Sequence, residues 1–133
     1  MSGRKNTLLS FPLYSAVPVS STTTYTSPVT NIQYLDNVGV QVDFTSTPTG
    51  TLTIEVSATY KQDDLGNVTN AGTWVPLSFL VAGLSVTSVA VTSGSPSPIY
   101  ADLFNLSAPW IRVRYVNASS SGTISGVITA KMI

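Results

Sequence analysis

Val38-Gly39-Val40-Gln41-Val42-Asp43-Phe44 places an apolar side chain at every second position. Successive residues of a strand point to opposite faces, so this period gathers Val38, Val40, Val42 and Phe44 on one side and leaves Gln41 and Asp43 in water. Pro48-Thr49-Gly50 then supplies turn chemistry, and Leu52, Ile54, Val56, Ala58 and Tyr60 resume the alternation. Together they predict a hairpin with one wet face.

The pattern extends toward the C-terminus. Residues 61–73 form a polar loop with Asp63, Asp64, Gly66, Asn67 and Asn70, and Trp74-Val75-Pro76-Leu77 opens a short strand. A further strand is expected at residues 86–92, Ser93-Gly94-Ser95-Pro96-Ser97-Pro98 is a break, and residues 99–104 give another short strand. In residues 110–117, Ile111, Val113 and Tyr115 alternate with Arg112 and Arg114, and residues 123–133 carry Ile124, Ile128 and Met132 on one face. No 3.6-residue period occurs. The fold class is therefore all-β: an antiparallel β-sandwich or jelly roll of about seven to nine strands.

The first 30 residues read differently. Pro12, Pro18 and Pro28 punctuate a tract rich in Ser and Thr, with no period that marks a strand. This predicts an extended N-terminal arm over residues 1–30, ahead of a sandwich domain over residues 31–133. Leu8, Leu9, Phe11, Leu13 and Tyr14 are costly to leave in water, so the arm is expected to lie on its own domain or on a neighbour. If it reaches a neighbour, deleting residues 1–28 should leave a folded sandwich that no longer assembles.

Composition narrows function by exclusion. The chain has 133 residues, 43% of them hydrophobic, which fits one domain with a single core. Only 9% of residues are charged, against about a quarter in an average protein, while Ser and Thr exceed a quarter of the chain. Six basic and six acidic residues cancel, and no stripe of Lys or Arg is placed to neutralise phosphates, so free nucleic acid is not an expected partner. Weak self-repulsion instead favours association. The chain has no Cys and no His, which removes disulfides, thiolate metal sites and the usual proton shuttle. Arg4-Lys5 is not followed by an unbroken apolar run, and the longest apolar candidate, residues 75–91, is interrupted by Pro76 and Gly83; neither a signal peptide nor a membrane span is expected.

The residues that invite a functional reading each have a plainer one. Asp63-Asp64-Leu65-Gly66-Asn67 has oxygens for calcium but lacks the spacing of an EF-hand, and reads as a solvated loop. Arg112 and Arg114 share one strand face, where they either clamp a carboxylate or glycan or form a charged outer surface paired with Asp102 or Glu55. Trp74 and Trp110 are a possible sugar-stacking platform, with packing at a rim the simpler role. Trp74, Trp110, Arg112 and Arg114 thus make up the candidate ligand or interface face. No nucleophile–base pair, phosphate loop or metal motif is present, so no catalytic residue, cofactor or metal is assigned. The sequons at Asn67, Asn105 and Asn117 carry meaning only in a secreted eukaryotic protein.

A weak internal echo links residues 39–58 with residues 110–130. Phe44 matches Tyr115, and Gly50-Thr51-Leu52-Thr53 matches Gly122-Thr123-Ile124-Ser125. Two hairpins of one sandwich can converge on such a pattern without duplication.

Several motifs carry a resemblance: Asn31-Ile32-Gln33-Tyr34-Leu35-Asp36-Asn37-Val38, Thr47-Pro48-Thr49-Gly50-Thr51, Gly72-Thr73-Trp74-Val75-Pro76-Leu77 and Ala108-Pro109-Trp110-Ile111-Arg112-Val113-Arg114-Tyr115. The chain resembles small virion-associated proteins of bacterial viruses. The resemblance implies a jelly-roll or sandwich protein that decorates or cements a capsid, as a homo-oligomer such as a trimer, with other virion proteins and above all the major capsid protein as partners. It implies a place in the virion and no enzymatic activity. The Trp110–Tyr115 strand is also similar to a late strand of discoidin-like sugar-binding sandwiches, whose cysteines are missing here. The alternative is accordingly a spike, receptor-binding or glycan-binding module.

Overall fold

The computed structural model describes residues 8–33, 35–103 and 106–132. In chain order the strands are β1 (Leu8–Val19), β2 (Thr24–Thr26), β3 (Thr30–Asn31), β4 (Leu35–Ser46), β5 (Thr49–Ser57), β6 (Lys61–Gln62), β7 (Val68–Asn70), β8 (Val75–Pro76), β9 (Phe79–Val81), β10 (Leu84–Val86), β11 (Val89–Val91), β12 (Ile99–Leu103), β13 (Trp110–Ser119) and β14 (Gly122–Met132). One sheet runs β1-β14-β4-β12-β9-β10. The other runs β11-β5-β13-β2, with β3 also on β13 and β8 also on β5, and β6-β7 is a separate two-stranded ribbon. Among the described residues there is no helix.

Four antiparallel pairs are nested in the sequence: β1 with β14, β2 with β13, β4 with β12 and β5 with β11. The chain therefore behaves as one long hairpin ribbon whose ends pair with each other. Rolling that ribbon brings β14 against β4 and β13 against β5, which closes two sheets around one core. That is the jelly-roll topology.

Alternation places the core where the sequence indicates. Val38, Val40 and Val42 on β4, Ile111, Val113 and Tyr115 on β13, and Ile124 and Ile128 on β14 are essentially inaccessible to water. Each such side chain contributes about 1.5–3 kcal/mol of transfer free energy. Phe44 and Tyr115, matched positions of the internal echo, meet across the core with ring centroids 5.0 Å apart.

The expected hairpins are corrected. β4 and β5 belong to different sheets, and so do β13 and β14, so each turn is a corner between sheets. A corner and a hairpin need the same alternation and the same turn residues, and only the pairing partner distinguishes them. The two echo units pair with each other, β4 with β14 and β5 with β13. Their equivalent glycines sit where a side chain cannot: a Cβ on Gly50 would run into the Val116 carbonyl, and one on Gly122 into the Thr45 carbonyl.

The N-terminal segment is extended, and of the two resting places open to it, residues 8–19 take the first, their own domain. β1 is an edge strand of the larger sheet, antiparallel to β14. Pro12 and Pro18 are tolerated because an edge strand has a side that needs no ladder hydrogen bond. The register shifts between Pro12 and Tyr14 and again between Tyr14 and Val17, and Ala16 takes a left-handed conformation (φ 49°). Such bulges let the neighbours Leu13 and Tyr14 both turn inward. Residues 8–31 thus supply strands to both sheets, and deletion to residue 28 would not spare the sandwich as first expected.

Candidate functional site

Strand β13 presents Trp110, Arg112 and Arg114 on the outer face of the smaller sheet, in register with Ser57, Glu55 and Thr53 of β5. On the far side of β5, Pro76 of β8 lies beside Glu55, which sets Trp74 at the same level as Ser57. Between the two indoles comes Tyr60. Strand β5 ends at Ser57, whose Oγ accepts hydrogen bonds from the backbone N–H of Thr59 (3.2 Å) and Tyr60 (3.1 Å). This local turn breaks the alternation that would have sent Tyr60 inward with Leu52 and Ile54, and brings its ring over the outer face.

The Tyr60 ring lies 4.9 Å from Trp110, edge-on, and 5.6 Å from Trp74, tilted. The Arg112 guanidinium sits 4.2 Å above the Trp74 ring, and its Nε donates to Glu55 Oε1 at 2.8 Å. Trp74 Nε1 donates to the Ala71 carbonyl (3.0 Å), and Gln62 Nε2 to the Tyr60 hydroxyl (2.9 Å). Aromatic pairs contribute about 0.5–1.5 kcal/mol beyond their buried area, and a cation over an indole about 0.5–1 kcal/mol at an exposed site. The group is a clasp that fixes the long connection between β5 and β11 onto the sheet.

Three of the four residues singled out in the sequence, Trp74, Trp110 and Arg112, are brought together here. Arg114 lies two positions further along, between Thr53 and Thr26. The carboxylate partner of Arg112 is Glu55; Asp102 belongs to β12 of the other sheet. Tyr60, the centre of the clasp, was not legible because it falls in phase with the buried positions of its strand.

The clasp supports a projecting ribbon. Residues 61–70 are exposed throughout, with β6 and β7 joined by the tip Asp63 to Asn67. Asp63 Oδ1 accepts the backbone N–H of Leu65 (2.9 Å) and of Asn67 (2.8 Å), and Oδ2 accepts from Asn67 Nδ2 (3.3 Å). These donors, the Asn67 amide above all, hold the Asp63 carboxyl below its usual range. Both oxygens thus serve the loop itself, and among the described residues no group of three or more metal-ligating side chains exists. Leu65, at the tip, is 86% exposed, and Val68 beside it is 56% exposed.

An open hollow of about 450 Å³ lies at the same end of the sandwich, lined by Ile32, Gln33, Leu35, Leu106, Ser107, Ala108 and Pro109. Of the arm residues, Leu13 and Tyr14 are buried in the chain's own core and Leu9 and Phe11 are half-buried, while the Leu8 side chain is outside the described residues. The Tyr14 hydroxyl faces the carbonyls of Tyr25 (2.7 Å) and Val113 (2.9 Å), and burial drives its pKa up. Burial also raises Tyr115, whose hydroxyl donates to Asn117 Oδ1 at 2.9 Å. Asn117 is fully buried and donates to the Ser21 and Ser120 carbonyls, so its sequon is structural; Asn67 is exposed, and Asn105 lies outside the described residues.

No family model matches the chain, and no curated protein matches it. Solved structures do. SPBc2 prophage-derived protein YomS superposes with a TM-score of 0.61 over 92% of this chain and 93% of its own, at 14% identity. The chain shares the fold of a prophage protein. The PBSX exported protein XepA matches with a TM-score of 0.63 and 18% identity over 94% of this chain, which spans only 37% of XepA. At these identities the likeness is one of fold.

Proposed function

We propose that this chain is a structural protein of a bacteriophage virion, which decorates or cements the capsid through subunit contacts. The observation that carries this reading is the nested jelly-roll pairing, whose smaller sheet holds out an exposed hairpin with Leu65 and Val68 uncovered on a turn braced by Asp63. Side chains held on a pre-ordered turn lose little freedom on contact with another protein surface. The fold shared with YomS supports the phage setting, and the absence of His and Cys from the sequence supports a role without catalysis. Partners on this reading are other virion proteins, the major capsid protein first, with further copies of the chain in a trimer. Leu9 and Phe11, half-buried on an edge strand, are suited to add to such contacts, with the segment that precedes them.

A spike or glycan-binding role would use the Trp74 and Trp110 faces. Arg112 already covers one face of Trp74 and Tyr60 is wedged between the indoles, which favours packing over an open sugar platform. The test is to add purified protein to particles produced without its gene. Saturable co-sedimentation with those particles supports the virion role. Failure to bind them, together with saturable glycan binding lost in Trp110→Ala, supports the spike reading instead.

A further inference from the structure

We infer that copies of this chain exchange β1: the strand of one copy leaves its own β14 and pairs with β14 of the next, turning about Ser21. The inference rests on reading the chain as one that associates with its own copies, and it names the segment they share.

The hinge is a single torsion. From the Ser21 carbonyl onward the chain is fixed to β13. The buried Asn117 donates its Nδ2 to that carbonyl (2.8 Å) and its backbone N–H to the Thr23 carbonyl (2.9 Å), Thr24, Tyr25 and Thr26 pair with Val116, Tyr115 and Arg114, and Ser27 donates to the Val113 carbonyl (2.9 Å). Just ahead of this fixed point, Ser21 has a φ of 54°, in the left-handed region that a residue with a side chain adopts at a cost. Rotation about that one bond to the extended range swings β1 as a unit and leaves the Ser21 carbonyl on Asn117. What it breaks at the hinge is an exposed contact, from the Ser20 N–H to the Tyr25 hydroxyl (3.1 Å). Element-terminal residues that absorb such a change are the usual hinges, and short connections under strain favour exchange of the strand they hold.

The contacts of β1 identify its replacement. Its ladder is with β14 alone, at the edge of the larger sheet, so it departs without parting two other strands. Two register shifts turn the neighbours Leu13 and Tyr14 into the core together, and the Tyr14 hydroxyl reaches the carbonyls of Tyr25 (2.7 Å) and Val113 (2.9 Å). A regular extended peptide has neither the bulges nor the inward tyrosine. A second copy of β1 has both.

Exchange therefore restores every contact of β1 with the sandwich and relaxes Ser21 in each copy. The balance between closed monomer and exchanged oligomer then rests on the hinge and on the entropy of association. Reciprocal exchange closes a dimer and cyclic exchange a trimer. Zero net charge offers little repulsion to either.

The native chain has no cysteine, so a disulfide can report which copy supplies β1. Ser10 lies opposite Thr129, two residues along from Pro12 opposite Val127. Pro12 has no N–H to give, so both are non-hydrogen-bonded pairs, the kind whose side chains lie closest and suit a disulfide. Wild type refolded at high concentration should separate by size exclusion into monomer and one closed oligomer that interconvert slowly. Oxidised Ser10→Cys/Thr129→Cys taken from the oligomer should stay covalently joined at the oligomer's mass in denaturant, while the same variant taken from the monomer stays a monomer. Ser21→Gly removes the cost of the closed hinge and should lower the association constant about fivefold or more without lowering the melting temperature of the monomer. Ser21→Pro, which holds that torsion on the negative side, should raise it. A chain that stays monomeric after concentrated refolding overturns the inference, as does an oligomer whose oxidised variant falls apart into monomers, or an oligomer fraction that Ser21→Gly leaves unchanged. A monomer that binds particles would overturn strand exchange and leave the virion role standing; an exchanged oligomer that binds none would do the reverse.

Discussion

The Tyr14 hydroxyl lies 2.9 Å from the Val113 carbonyl, a contact that ties the edge strand of one sheet to a central strand of the other. The same hydroxyl is 2.7 Å from the Tyr25 carbonyl, so one proton is shared between two acceptors inside the protein. Replacing Tyr14 by Phe leaves the ring packing intact and removes this donor. The expected cost is about 1–3 kcal/mol, read as a lower midpoint in urea unfolding at neutral pH. The effect also has a pH signature. Burial raises the folded pKa of Tyr14 above its ordinary value of 10.0, so the stability it contributes is complete below pH 10 and falls as pH climbs above it, where only the unfolded chain ionises. Tyr14→Phe should flatten this alkaline decline.

Truncation tests the N-terminal edge strand. Removing residues 1–19 deletes β1 and with it the buried Leu13, Tyr14 and Val19. At about 1.5–3 kcal/mol each, their loss rivals the whole stability of a typical domain, about 5–15 kcal/mol. The truncated chain is expected to be unfolded or aggregated by circular dichroism.

Trp74→Ala tests the clasp. It removes the cation–π contact of Arg112 and one of the two ring contacts of Tyr60. The loss, about 1–2.5 kcal/mol, should be local. Hydrogen exchange is expected to accelerate across residues 58–76 and to stay unchanged in β4, β13 and β14. Equal acceleration everywhere would mean that the clasp belongs to the global core.

The hairpin tip should loosen in acid. Amide donors depress the folded pKa of Asp63 below its ordinary value of 3.8, so its bonds contribute fully above that value and are lost as pH falls through the folded pKa. The amides of Leu65 and Asn67 should lose protection in that acid window, and Asp63→Ala should show the same loss already at neutral pH.

Strands were legible wherever one face met the core without interruption, as in Val38 to Phe44 and Ile111 to Tyr115. Which sheet each strand joins was not, because Pro48 and Gly50 suit a corner as well as a hairpin. β1 escaped notice because Pro12, Pro18 and two bulges destroy its period, although Leu13, Tyr14 and Val19 end in the core. Three clasp residues could be picked out by type. The fourth, Tyr60, depends on a hydroxyl–backbone turn at Ser57 that reverses the face it occupies. The loop from Asp63 to Asn67 was legible as solvated; that Asp63 braces its own turn was not, because those bonds depend on a backbone path that composition does not specify.

The most direct test of the proposed virion role is quantitative mass spectrometry of virus particles purified from the source that encodes this chain. A virion structural protein should be present in many copies per particle and should remain after repeated density-gradient purification. Abundance in the lysate with absence from the purified particles would contradict that role.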